Sequence, residues 1–289
     1  MNQPFAELLP GSAGGGRLRV WLKSSAYTKR LLLGEAGDPW VSAANYLAYF
    51  SQAHGLLKPD VAVLEVGEFY DAWTARHGGL AGQMGNRRRA STALRKLLEP
   101  QAPRAVLAEV VEAVLAHLRG QTPLVLAVPS PRHWLNHANR MSGRSDIAAE
   151  GDDIEDAAMY LADLIRAVSV FPVSGLLLEE APDDVSFGPA DLARYQSVVN
   201  VVRHYRWSVA LRLPAEVTLP VDALADFDAV ISPVMQQAGS AAVGRDISAA
   251  FARGDSVPPL GERQFHFAQL EAGLRPESVL EALSRLRGG

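Results

Sequence analysis

The chain has 289 residues, 48% of them hydrophobic, with a formal charge of −4 and no cysteine. That length can bury one large core, and a mild acidic excess gives no general attraction to nucleic acid or to an anionic membrane. Without cysteine there can be no disulfide, thiolate metal site, iron–sulfur cluster or cysteine nucleophile.

The first twenty residues, MNQPFAELLPGSAGGGRLRV, lack the basic region and apolar core of a secretory signal. No apolar run reaches the roughly 18 residues needed to cross a bilayer. The chain therefore reads as cytoplasmic, with residues 1–16 as a flexible, glycine-rich lead-in. Residues 18–22 are the first strand candidate. Asp38 as N-cap and Pro39 as first helical residue then open a helix that runs to Leu57. Residues 61–66 suit a second strand. Arg87, Arg88 and Arg89, after the glycine-rich residues 78–82, read as a basic loop that is solvated or closes over an anion.

In residues 102–119, Val106, Val110, Val114 and Leu118 share one helical face, and Gly120 ends the helix. Residues 124–128 form an apolar run between Pro123 and Pro129, the pattern of a strand buried on both faces. Ser130 is a good N-cap and Pro131 a good first residue, so a helix is expected directly after that strand. Further along, 153–170 is an amphipathic helix capped by Asp152 or Asp153, 175–180 a strand, 189–206 a helix and 208–213 a strand. Residues 227–232 and 264–268 complete seven strand candidates, and 276–286 is a closing helix. Serial strand–helix units imply a parallel sheet. Neither a Gly-x-Gly-x-x-Gly nor a Walker A pattern follows a strand, which counts against an open nucleotide-binding sheet. The expected fold is a single-domain (β/α)8 TIM-type barrel over residues 17–289.

Active sites of such barrels lie at the C-terminal ends of the strands. Those ends supply Glu65 and Glu68, residues 130–137, Glu179 and Glu180, Arg212, Ser232 and His266. From them, His133, Glu179 and Glu180 are the expected catalytic groups, and Ser130, Arg132, Arg212, Glu65 and His266 the expected substrate contacts. A helix N-terminus at Ser130 with the guanidinium of Arg132 would suit an anion. Side chains alternate along a strand, so only one of Glu179 and Glu180 can face the barrel interior. An inward carboxylate without a cation would titrate high and serve as an acid or base. His133 and His137 stand one helical turn apart and could share a metal with Glu179, Glu180 or His266, but the glutamate of His-Glu-x-x-His is missing. No cofactor is therefore expected. The expected partner is a small carboxylate substrate, with no nucleic acid and no membrane; a homodimer is compatible with the sequence.

Three segments carry a resemblance. LAHLRGQTPLVLAVPSPRHWL, GLLLEEAP and FAQLEAGLRPESVLEALSRL are similar to strand-end segments of the barrel shared by cobalamin-independent methionine synthase, in its C-terminal half, and uroporphyrinogen decarboxylase. The resemblance covers about residues 105–287. It implies a barrel whose mouth holds a polar substrate. In the synthase branch it also implies a zinc ion held by two cysteines, a histidine and a glutamate, yet Ala272 stands at one cysteine position and Leu211 or Arg212 at the His-x-Cys strand. The decarboxylase branch implies no metal or cofactor and arginines with a carboxylate around an acidic substrate, a set that Arg132, Arg212 and Glu179 or Glu180 could supply. Its arginine-rich N-terminal signature is not recognisable here. Three functions follow as expectations: a cofactor-free lyase or decarboxylase, a methyl transferase or hydrolase with a His/Glu metal site, or a binding protein derived from this barrel.

Overall fold

The computed structural model describes residues 5–12, 14, 16–83, 89–144, 147 and 149–288. After a short helix α1 (Phe5–Leu8), strand β1 (Val20–Lys23) leads into α2 (Ser25–Leu33), a 3-10 turn at Pro39–Val41 and α3 (Ala43–Leu57). Strand β2 (Ala62–Glu65) is followed by α4 (Val66–Arg76), α5 (Ser91–Leu98) and α6 (Gln101–Leu118), and β3 (Leu124–Pro129) by α7 (Pro131–Met141) and α8 (Gly151–Val168). The second half has shorter connections. It runs β4 (Gly175–Glu179), α9 (Pro189–Leu192), α10 (Gln196–His204), β5 (Ser208–Arg212), β6 (Ala229–Ser232), β7 (Ala242–Asp246), α11 (Ser248–Arg253), β8 (Gln264–Gln269) and α12 (Pro276–Gly288).

All eight strands are parallel and follow sequence order around one sheet, β1-β8-β7-β6-β5-β4-β3-β2. Among the described residues β1 and β2 share no ladder, so the barrel is nearly closed with a seam between its first two strands. Alternation sorts the side chains. Trp21, Val125, Ala127, Leu177, Ala210, Ile231, Phe265 and Phe267 fill the lumen, while Leu64, Leu126, Leu176, Leu178, Val209, Leu211 and Val230 face the helices in a second core. This is the close-packed interior of a TIM-type barrel, not a pore. At Gly244 in β7 a Cβ would lie 2.7 Å from both Ile231 Cγ1 and Phe265 Cζ, so the lumen closes there only over a glycine.

The local rules held at several helix starts. Ser130 caps α7 by accepting the His133 N–H at 3.1 Å, and Asp38 accepts the Trp40 N–H at 2.9 Å. The 39–57 helix is divided, however, because Ser42 is extended and caps α3 itself. Glu150 caps α8, with Asp153 completing a capping box from inside the helix. Residues 189–206 are likewise broken by a 3-10 turn at Ala193–Tyr195. Two expectations need correcting more firmly. Strand β7 was not among the seven candidates. The described part of the lead-in is not free either, since Phe5 is fully buried and meets Trp21 edge-to-face at 4.8 Å. Residues 5–8 thus plug the barrel floor. Among the described residues no helix is long and apolar enough to cross a membrane.

Candidate active site

As α11 does after β7, helices α2, α4 and α7 begin within two residues of the ends of β1, β2 and β3. With the strand ends beneath them they wall a cleft of about 180 Å³ at the C-terminal mouth of the barrel. Lys23, Glu65, Glu179 and Gln269 form its floor, each the last lumen-facing residue of its strand. Ser25, Gly67, Glu68 and His133 are on its walls, and Asp71 and His137 at its rim. Gly67 is required, because a Cβ there would come within 2.9 Å of Pro129.

Lys23 organises the floor. Its ammonium lies 2.5 Å from Glu179 Oε2 and 3.0 Å from Glu65 Oε2. Arg212 approaches the other oxygen of Glu179 at 3.3 Å, pairs with Asp246 at 2.8 Å, donates to Gln269 and rests 4.8 Å over the ring of Phe267. The electrostatic consequences differ along this chain. Burial disfavours the charge of Lys23, but Glu179 and Glu65 outweigh it and hold the ammonium above the usual lysine range. Burial also opposes ionisation of Glu179, yet Lys23 and Arg212 together keep it below the usual carboxylate range. Glu65 has Lys23 alone against burial and two neighbouring carboxylates, so it is pushed up to about 7. The mouth thus holds a fixed cation, a fixed anion and a carboxyl poised near neutrality.

His133 supplies a second proton carrier. Its Nδ1 donates to the Glu179 carbonyl at 3.0 Å, which fixes the tautomer and leaves Nε2 as the acceptor. Burial lowers its pKa, so the ring is neutral at pH 7. At the rim, His137 Nε2 meets Asp71 at 2.7 Å, and Glu68 bridges Lys29 at 2.7 Å and Ser25 at 2.8 Å.

Of the expected site residues, the cleft gathers Glu65, His133 and Glu179, with Arg212 beside it. Four lie elsewhere. Arg132 points to the loop after β4, where Asp184 at 2.7 Å, Asp191 at 3.1 Å and Ser186 at 2.6 Å occupy its donors; the anion cradle expected at Ser130 and Arg132 is not formed. Ser130 and Glu180 face the helix layer, where they contact Tyr195. His266 has the wrong strand parity, since Phe265 and Phe267 point inward and His266 Nε2 turns to the Pro258 carbonyl. Arg87 and Arg88 lie outside the described residues, and Arg89 stands 3.5 Å from Asp156 at the start of α8. The metal alternative at His133 and His137 lacks support: the rings are 6.5 Å apart, and no group of three or more metal-ligating side chains occurs among the described residues.

Lys23, Gln269 and Asp246 were missed. Inward residues recur every second position, so Trp21 predicts Lys23 and Phe267 predicts Gln269 once the strands are extended by one residue. Asp246 was hidden with its strand.

This architecture, a (β/α)8 barrel with a charged, partly roofed mouth, defines the class of the protein. Among solved structures, a methyltransferase from Methanosarcina mazei matches with a TM-score of 0.53 at 12% identity, over 93% of this chain and 94% of that one. A dihydrodipicolinate synthase from Agrobacterium tumefaciens aligns at 12% identity and a TM-score of 0.42, over 94% of this chain and 80% of that one. The first likeness shows the shared fold; the second is too distant to carry an argument. No protein-family model matches the chain, and no curated protein is detectably similar in sequence.

Proposed function

We propose that the barrel mouth is an enzymatic acid–base site that acts on a small carboxylate as a lyase, in the manner of a cofactor-independent decarboxylase. The observation that carries this reading is Lys23 wedged between Glu65 and Glu179 beside the free Nε2 of His133. The holder of the substrate is then Lys23 and not Arg132. An entering carboxylate competes with Glu65 for the ammonium. Because Glu65 titrates near 7, it can take up a proton and give way at small cost, whereas Glu179, secured by Lys23 and Arg212, stays charged. Lys23 would stabilise the negative charge that develops as the carbon–carboxylate bond breaks and carbon dioxide leaves, and protonated Glu65 would deliver a proton to the carbon, with the neutral His133 Nε2 as an acceptor beside it.

The resemblance to the uroporphyrinogen decarboxylase barrel supports a metal-free lyase, although its arginine-rich signature is not recognisable here and the cations at the floor are Lys23 and Arg212. A methyl-transfer reading has the synthase side of that resemblance and the name of one distant fold neighbour in its favour, but the synthase's zinc-binding cysteines are absent.

The test is a saturation-transfer NMR screen of small mono- and dicarboxylates against the wild type, Lys23→Met and Arg132→Ala. The expected result is a carboxylate that binds the wild type and Arg132→Ala alike, binds Lys23→Met at least tenfold more weakly, and weakens above pH 7 as Glu65 ionises. Equal binding to Lys23→Met, or loss in Arg132→Ala alone, would reject the proposal.

A further inference from the structure

Behind the cleft, on the helix-facing side of β4, three oxygens form a closed triangle. Ser130 Oγ lies 2.7 Å from Glu180 Oε2, Tyr195 OH lies 2.8 Å from Glu180 Oε1, and the two hydroxyls are 3.2 Å apart. Each side of the triangle needs one proton, and the two hydroxyls supply only two. With Glu180 ionised, one side sets lone pair against lone pair. With a proton on its carboxyl, Glu180 donates to Tyr195, Tyr195 to Ser130 and Ser130 back to Glu180, so every side is a hydrogen bond. Ser130 Oγ keeps a lone pair for the His133 N–H.

The triangle is one half of a clamp. On the cleft side the Glu179 carbonyl accepts both the Ser130 N–H at 2.8 Å and the His133 Nδ1–H at 3.0 Å. The last residue of β4 and the residue that follows it therefore hold the first turn of α7 from opposite faces. We propose that Glu180 is a positioning residue, carried as the neutral acid, that locks α7 to the end of β4 and so aims His133 into the cleft, and that its ionisation releases this lock.

The surroundings favour the neutral form. Glu180 is buried. On α7 the nearby cation, Arg132, is spent on Asp184 and Asp191, and Asp184, in the loop after β4, adds a like charge. From the 3-10 turn comes only the Tyr195 hydroxyl, and from β5 only the Arg212 carbonyl, which accepts the Glu180 N–H. Burial pushes Glu180 up to about 8 despite the hydrogen bonds from Ser130 and Tyr195. Its state would thus change at mildly alkaline pH.

The functional meaning of this lock rests on the cleft being the active site; its test does not. The His133 ring nitrogens would be followed by long-range proton–nitrogen NMR from pH 7 to 9.5 in the Glu65→Gln background, which removes the other carboxyl titrating in that range. Infrared spectra at pH 7 would report the protonated-carboxyl band. The expected result is one step in the His133 signals near pH 8 and a carboxylic-acid band, both absent when Glu180→Gln is added, since an amide both donates and accepts. Tyr195→Phe, which removes a donor to the carboxylate, should move the step to higher pH. A step that survives Glu180→Gln, a missing acid band, or a step unmoved by Tyr195→Phe would overturn the proposal; Tyr195→Phe decides if Glu180→Gln does not fold. Failure of every carboxylate to bind would reject the lyase reading and leave the lock standing, while a missing step would do the reverse.

Discussion

Lys23 shows how one buried charge can set the chemistry of its neighbours. Its ammonium satisfies two carboxylates that are both almost fully out of water. Lys23→Met should therefore cost about 3–5 kcal/mol in chemical denaturation at pH 7, the usual penalty for stranding a buried partner. That cost should shrink as the pH falls and Glu65 and Glu179 take up protons. Glu65 has the opposite sign from an ordinary paired acid. Its folded pKa lies above the unfolded value of 4.5, so its contribution to stability is complete below 4.5 and is lost as the pH rises through about 7. At about 1.4 kcal/mol per pKa unit the loss is roughly 3 kcal/mol. Glu65→Gln should remove most of this decline from a stability–pH curve measured between pH 4.5 and 8; an unchanged slope would show that the decline belongs to other groups. The sequence made the division between Glu179 and Glu180 legible, because strand parity allows only one inward carboxylate. It did not make the fate of Arg132 legible, because Asp184 and Asp191 lie more than fifty positions away and only the folded loop brings them to it.

Among the elements, the residue pattern revealed the strands most sharply where burial is complete and the helices where one apolar face recurs. β3 and β4 read as unbroken apolar runs and were placed within a residue or two. β7 did not, because its sequence Ala-Val-Gly-Arg-Asp has a glycine at its centre and two charges at its end. The glycine belongs there for steric reasons invisible in one dimension, as Ile231 and Phe265 occupy the space of a side chain. Gly244→Ala should cost about 1–3 kcal/mol by overpacking, read as a shifted denaturation midpoint with an unchanged slope. The helix α1 was hidden for a different reason. Four residues bounded by proline and glycine carry no periodicity, and the signal was the lone Phe5. With that ring fully buried against Trp21, Phe5→Ala should destabilise the protein by about 3–5 kcal/mol. A change below 1 kcal/mol would mean that the floor plug contributes little.

At the level of the whole molecule, the barrel has a beginning and an end. The Ala62 N–H donates to the Pro123 carbonyl on the β3 side, so alternation turns the Val63 N–H toward the seam, where no ladder among the described residues receives it. Hydrogen exchange should therefore be at least tenfold faster at Val63 than at Ala62; equal protection would mean that the seam closes in solution. The barrel's extra helices are also one-sided. α2, α4 and α7 crown the mouth over β1, β2 and β3, while β5 and β6 lead to the next strand without an α-helix. The charged floor is carried by strands and the roof by helices of the first three units alone. The uncrowned side is consequently where the protein could acquire a new specificity. Lengthening the links after β5 or β6 would reshape the approach to Lys23 without disturbing the residues that hold its charge, which leaves half of the rim open to evolutionary change or to deliberate loop grafting.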